Sequence, residues 1–228
     1  MKKLITAASL LLTAGIASAH MGEEAARFYF FDIFLYGIAA LIVLSLLAIH
    51  YRGSMTKTEK KAVFILYVVI TAAITLYMAG GTVYLNLTSA TGGPVHWHAD
   101  FEIWICGEKL SIIESEGFEN KVGETQLHHH NDLRIHVEGV LQHMDEASVG
   151  EFFRSIGGEF TEDELTVPLA DKSVRTWRNG DRCPDGKPGK IRFFINGKEN
   201  FDFGKYIIAP YPDVPPGDFL NITFATER

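Results

Sequence analysis

A signal peptide, two membrane-spanning α-helices and an α+β domain outside the cytoplasm form the architecture that this sequence predicts. Three observations carry it. Residues 1–91 of the 228 contain three hydrophobic runs, while all eight prolines and seven of the nine histidines lie beyond them. A short basic loop separates the second run from the third, and such a loop orients both spans. Past residue 91 the hydrophobic spacing changes to strand-like alternation interrupted by one capped helix.

Residues 1–19 read as a secretory signal. Lys2 and Lys3 supply the positive start, residues 4–16 the apolar stretch, and Ala17-Ser18-Ala19 the small-residue cleavage pattern. The stretch is short for a span, which needs about 20 residues; an uncleaved anchor is the competing reading. Residues 28–50 and 62–84 are each long enough to cross. The first opens on Phe28, Tyr29, Phe30 and Phe31, an interfacial aromatic belt. The loop 51–61 carries Arg52, Lys57, Lys60 and Lys61, which the positive-inside rule places in the cytoplasm. Residues 92–228 then emerge outside, and a signal peptide requires the same orientation. The predicted divisions are therefore 1–19 (signal peptide), 20–91 (two-helix anchor) and 92–228 (extracytoplasmic domain) of a multi-pass plasma-membrane protein. Membrane lipid is its first partner, with a second membrane protein as a further candidate. Asp32 reads as an interfacial residue, and Gly80 and Gly81 as points of close helix packing.

The outer segment has about 137 residues, enough for one compact domain with its own core. Residues 1–91 hold seven Lys/Arg against four Asp/Glu, and the remainder fourteen against twenty-four, a formal net of −10 with neutral histidines. A nucleic-acid partner needs a basic face, which this balance excludes. Residues 85–94 read as a polar linker. Asn86-Leu87-Thr88 and Asn221-Ile222-Thr223 are glycosylation triplets of low specificity. In residues 95–105 the odd positions are apolar and the even ones polar from His96 to Glu102, the period of a half-buried strand. Cys106-Gly107-Glu108-Lys109 supplies a turn, and residues 110–113 are expected to return as a strand. A further strand is predicted over 133–140. Ser148 caps a short helix over 148–157, with Glu151 completing a capping box; Val149, Phe152, Phe153 and Ile156 form its apolar stripe and Gly157 its stop. Strands over 190–195 and 198–203 flank Asn196-Gly197, a strong hairpin signal. A last strand spans 219–224, after the turn rich in Pro210, Pro212, Pro215 and Pro216. The order of elements suits a β-grasp-like mixed sheet with one short helix; the alternative is a small β-sandwich.

Seven histidines crowd residues 96–143: His96, His98, His128, His129, His130, His136 and His143. On a strand, His96 and His98 share one face, as do His128 and His130. Two such pairs with His136 form a pool from which three or four imidazoles can bind one transition metal, copper or zinc being the leading candidates. Asp100, Asp132 and Glu138 are available as an oxygen ligand or as acceptors fixing a ring tautomer. His129 points away from its neighbours and is expected in a solvated or supporting role; His143 reads as an ordinary surface residue. Cleavage after Ala19 would make His20 an amino-terminal copper chelator, although an incidental residue is the simpler reading.

The segments His96-Trp97-His98-Ala99-Asp100-Phe101, His128-His129-His130-Asn131-Asp132, Arg134-Ile135-His136-Val137-Glu138-Gly139 and Ser148 to Phe153 resemble a poorly characterised group of archaeal and bacterial domains, secreted or membrane-anchored. That group carries an H-x-H … H-x-H-D … I-H-V-E … G-D-F-F pattern. The likeness covers most of residues 95–225 and none of the membrane part. Asn131 stands where the group has Asp, and the loop before His136 is one residue shorter. The resemblance implies a fold unit and a site, not an activity.

The reading favoured by these residues is a non-enzymatic metal-binding role in capture, sensing or delivery. A metal-dependent hydrolase or redox enzyme, with Glu138 as general base, is the alternative; an accessory subunit of a membrane complex is a third. H-E-x-x-H, G-x-S-x-G and phosphate-loop motifs do not occur in the sequence. Cys106 and Cys183 are the only cysteines, and in an oxidising compartment they are expected to form a disulfide rather than a thiolate ligand.

Overall fold

The computed structural model describes residues 24–116, 118, 120–208 and 217–226, with side chains from Asp32 onward. The predicted signal peptide, His20, the aromatic side chains of residues 28–31 and the four prolines of 210–216 lie outside that range. The chain divides into two compact units between Val83 and Tyr84.

In the first unit, α1 (Glu24–Tyr51) and α2 (Lys57–Thr88) are both long and apolar enough to cross a membrane. Thr56 starts α2. Its hydroxyl accepts from the Glu59 amide at 3.3 Å, while the Glu59 carboxylate accepts from the Thr56 amide at 2.8 Å, a complete capping box. The two helices approach closely at Gly37, where an added Cβ would lie 2.2 Å from the Ile74 side chain. Gly80, expected at such a contact, has nothing within 4 Å. The close approach therefore sits one helix earlier than anticipated. Asp32 is exposed.

The second unit is built on β1 (Pro94–Ile105), β2 (Glu108–Lys109), β3 (Val122–Gly123), β4 (Leu127–His129) and β5 (Arg134–Val140). Helix α3 (Val149–Ser155), then β6 (Glu159–Phe160), β7 (Glu164–Pro168), β8 (Val174–Arg178), β9 (Gly189–Ile195), β10 (Lys198–Asn200) and β11 (Asp218–Thr226) follow. The main sheet runs β10-β9-β11-β1-β5-β4-β3, with β2 on β1. Its two central strands, β1 and β11, are parallel, and the flanking pairs β1/β5 and β9/β11 are antiparallel. It is a mixed sheet.

Alternation along β1 decides which face is core. Ala99, Phe101 and Ile103 are at most 2% exposed, and Ile135 and Val137 of β5 are fully buried beside them. His96, His98 and Asp100 occupy the intervening positions and so share the other face. Against the core face lie Val149, Phe152 and Phe153 of α3, all fully buried. Ser148 accepts from the Glu151 amide at 3.2 Å as predicted, but the Glu151 carboxylate pairs with Arg154 instead of closing the capping box. Edge-to-face and tilted ring contacts link Phe101, Phe152, Phe153, Phe160 and Phe193 at centroid distances of 5.3–5.6 Å.

Two of the predicted strands are corrected. Residues 110–113 do not return as a strand; β2 ends at Lys109, and Ile112 instead forms an isolated bridge to Leu169. Ile112 is 4% exposed, so its burial in the core outweighs continued pairing at the edge of β1. The irregular stretch after the helix forms a second sheet, β6-β7-β8. The strand expected over 198–203 stops at Asn200, and Phe203 begins a 3-10 turn with its ring 8% exposed. Cys106 and Cys183 are joined by the expected disulfide, with Cα atoms 5.7 Å apart.

Candidate metal centre

Sheet register brings the histidines together. His98 of β1 pairs with His136 of β5, and His136 pairs with His128 of β4, so three adjacent strands contribute one imidazole each to a single row. One place along, His96 pairs with Glu138. Side chains directly opposite on neighbouring strands stand only about 4.5–5.5 Å apart at Cβ, which is why cross-strand histidines can converge.

The rings do converge. His96 Nε2 and His98 Nε2 lie 3.0 Å apart, and the His98 ring centroid is 4.6 Å from that of His136. One nitrogen from each of His96, His98 and His136 falls within 4.8 Å of the others, a group that could hold a metal ion. Nitrogens bound at about 2.0 Å to one tetrahedral ion stand about 3.3 Å from each other. The observed 3.0 Å contact is close to such a coordination edge. A second pair, His128 Nε2 and His130 Nε2, is separated by 3.1 Å.

The carboxylates take distinct places. Glu138 Oε1 lies 3.0 Å from His96 Nε2 and 4.0 Å from His136 Nδ1, close enough to serve as an oxygen ligand or acceptor. Asp132 faces His136 Nε2 at 3.3 Å and also accepts from the backbone amides of His130 and Arg134. In the neutral tautomer that donates Nε2–H to Asp132, His136 keeps its lone pair on Nδ1; Nδ1 is buried and has no hydrogen-bond partner among the described residues. Asp100 is not aimed at the cluster. It accepts from Arg134 Nε at 2.7 Å and Nη2 at 3.4 Å, a fork-shaped ion pair on the neighbouring register position.

Electrostatics favour the neutral form of His98 and His128. Burial is the largest cause holding His98 below the ordinary histidine range, with the neighbouring His136 and His96 adding to it and Glu138 opposing. His128 is held down by burial first, again against Glu138. Burial raises the Asp132 carboxyl, but its hydrogen bonds with His136 and the two backbone amides outweigh this and lower it. Neutral imidazoles beside an ionised carboxylate are the protonation states in which a metal is bound.

His129 departs from expectation. It is 1% exposed and points into the core, with ring centroids 6.4 Å from Phe101 and 6.1 Å from Phe152. Its Nδ1 accepts from the Asn131 amide at 3.3 Å. Alternation along β4 forces this: His128 and His130 face the row of imidazoles, so His129 must face α3. A spacing rule showed that it would point away, and only the helix on that side makes the destination core instead of water. Burial pushes its pKa down to about 4. The unfolded ring, at about 6.5, binds a proton before the folded one does, so stability present above pH 6.5 is lost as the pH falls toward 4. The expected loss is about 3 kcal/mol over that window, adding to losses of the same sign from His98 and His128. Denaturant melts of the metal-stripped chain at a series of pH values check it. The variant His129→Leu should flatten the acid limb by that amount, and an unchanged limb would refute the assignment.

His143 is exposed and precedes the 3-10 turn Met144–Ala147, past the end of β5. Comparisons with protein-family models, curated proteins and solved structures returned no match for this chain. The chemistry of the imidazole row is therefore the ground on which a function is read.

Proposed function

We propose that this chain is a multi-pass plasma-membrane protein that binds copper or zinc outside the cytoplasm, for metal capture, sensing or delivery. The convergence of His96, His98 and His136 carries the reading. Imidazole nitrogen suits copper and zinc, whereas magnesium and calcium take oxygen. The site stands on a β-grasp-like sheet, its central strands in the order β5-β1-β11-β9 with a helix in the crossover. Kinship with the archaeal and bacterial His-rich domains belongs to the same proposal. The Cys106–Cys183 disulfide supports an oxidising compartment, and the basic loop supports a cytoplasmic turn between the spans. An enzyme is the second reading, favoured by Glu138, which lies beside two of the rings with its side chain 40% exposed and so open to a substrate.

Two measurements test the proposal. Chelator-stripped full chain in detergent is titrated with zinc(II) and, separately, copper(II); binding at micromolar levels or tighter is expected. Folded protein that takes up neither metal sinks the reading. Protease added to right-side-out vesicles should remove residues 92–228, and full protection of that domain would reverse the orientation.

A further inference from the structure

We propose that the imidazole row holds a second, weaker ion position between His128 and His130, separate from the one formed by His96, His98 and His136. The inference rests on the metal-binding reading and extends it from one ion to two. Five imidazoles and Glu138 exceed the four ligands of a tetrahedral ion, and the geometry divides them. The nitrogens that lie mutually within 4.8 Å are those of His96, His98 and His136, a set that includes neither His128 nor His130. β5 lies between β1 and β4 in the sheet, so His136 stands between the two His-x-His pairs, its ring centroid 4.6 Å from those of both His98 and His130. Its ring stacks on that of His128, the planes within 8° of parallel and the centroids 5.5 Å apart. His136 is committed to the other group, because its nitrogen converges with those of His96 and His98.

The second pair has its own preparation. His130 Nδ1 lies 2.5 Å from the Asn120 carbonyl oxygen, which can only accept, so Nδ1 carries the proton and the lone pair of the neutral ring is on Nε2. That nitrogen faces His128 Nε2 at 3.1 Å. His128 is 3% exposed, and its Nδ1 has no hydrogen-bond partner among the described residues, so contact through Nε2 is what its polar edge is arranged for. Carboxylates flank the row: Glu138 is 3.0 Å from His96 Nε2 and acts electrostatically on His128, while Asp132 faces His136 Nε2 at 3.3 Å. Negative charge along the row reduces the repulsion between two cations. With two protein nitrogens against three, the His128–His130 position is the weaker and the readier to release its ion.

The test is zinc stoichiometry of the full chain in detergent, by isothermal titration calorimetry with metal counted by elemental analysis. Two equivalents are expected, one tight and one weaker. His130→Ala should remove the weaker equivalent and keep the tight one; His96→Ala should weaken the tight one and keep the other. His130 is only half-buried, and His130→Gln is the milder companion variant, with circular dichroism checking the fold of each. A single equivalent in the unaltered chain overturns the second position and leaves the first standing. Two equivalents that both survive His130→Ala and His130→Gln at unchanged affinity also overturn it. A folded chain that binds no zinc or copper takes down the underlying reading as well.

Discussion

His98→Ala should weaken zinc or copper binding at the tight site by about 100-fold or more, because a lost ligand costs at least as much as a lost supporting contact. His98 sits at the centre of that site. Its ring is 4.5 Å from His96 and 4.6 Å from His136 by centroid, and its Nε2 makes the 3.0 Å approach to His96. Its removal leaves His96 and His136, whose centroids are 6.1 Å apart, without the ring that bridges them. His143→Ala is the matched control, since that residue is exposed past the end of β5; its affinity should stay within about twofold of the unaltered chain, a difference below about 0.5 kcal/mol. Equal affinities for the two variants would remove His98 from the site. Acid should displace the ion, because protons compete for the same lone pairs. Burial lowers His98, so the loss sets in at lower pH than it would for an exposed imidazole.

Replacing both cysteines, Cys106→Ser with Cys183→Ser, should give the largest loss of stability in the outer domain. The bond closes a loop of 77 residues. Loop-closure entropy for that length is worth about 4–5 kcal/mol, as an upper figure within the chain-entropy model. In thermal melts of the full chain in detergent this corresponds to roughly 15–20 °C for a domain of this size. The bond joins the turn after β1, where Cys106 has φ 51°, to the loop that leads into β9. Cys183 is itself 6% exposed, so its serine variant also places a hydroxyl in the core. A loss under about 1 kcal/mol would mean that the unfolded chain is already compact across this loop. Metal affinity should be little changed, since the histidines lie toward the opposite end of β1 from Cys106.

Local patterns in the sequence account for much of the architecture. The hydrophobic runs became α1 and α2, and the alternation from His96 to Glu102 became β1 with its histidines on one face. Ser148 capped α3, Asn196-Gly197 turned β9 into β10, and two lone cysteines paired. Each is a property of neighbouring residues or of an inventory with a single solution, and so each was legible before any fold was known. Spacing alone points to five histidines as a ligand pool, of which His96, His98 and His136 have nitrogens that converge.

Tertiary structure decided the partners. Nothing local states that β1 lies between β5 and a parallel β11 more than a hundred residues away, yet that placement sets the face on which the imidazoles gather. Register between β1, β5 and β4 put His98, His136 and His128 in one row and turned Asp100 toward Arg134 instead of the cluster. Packing of α3 behind β4 made His129 a core residue where spacing left it open to solvent. Burial of Ile112 against Leu169 drew residues 110–113 off the sheet edge, and β6-β7-β8 formed from a stretch without clear periodicity. A residue's own side-chain pattern determines which of its faces is apolar; which element covers that face, and which distant side chains meet on the other, depends on long-range pairing that only the folded chain contains.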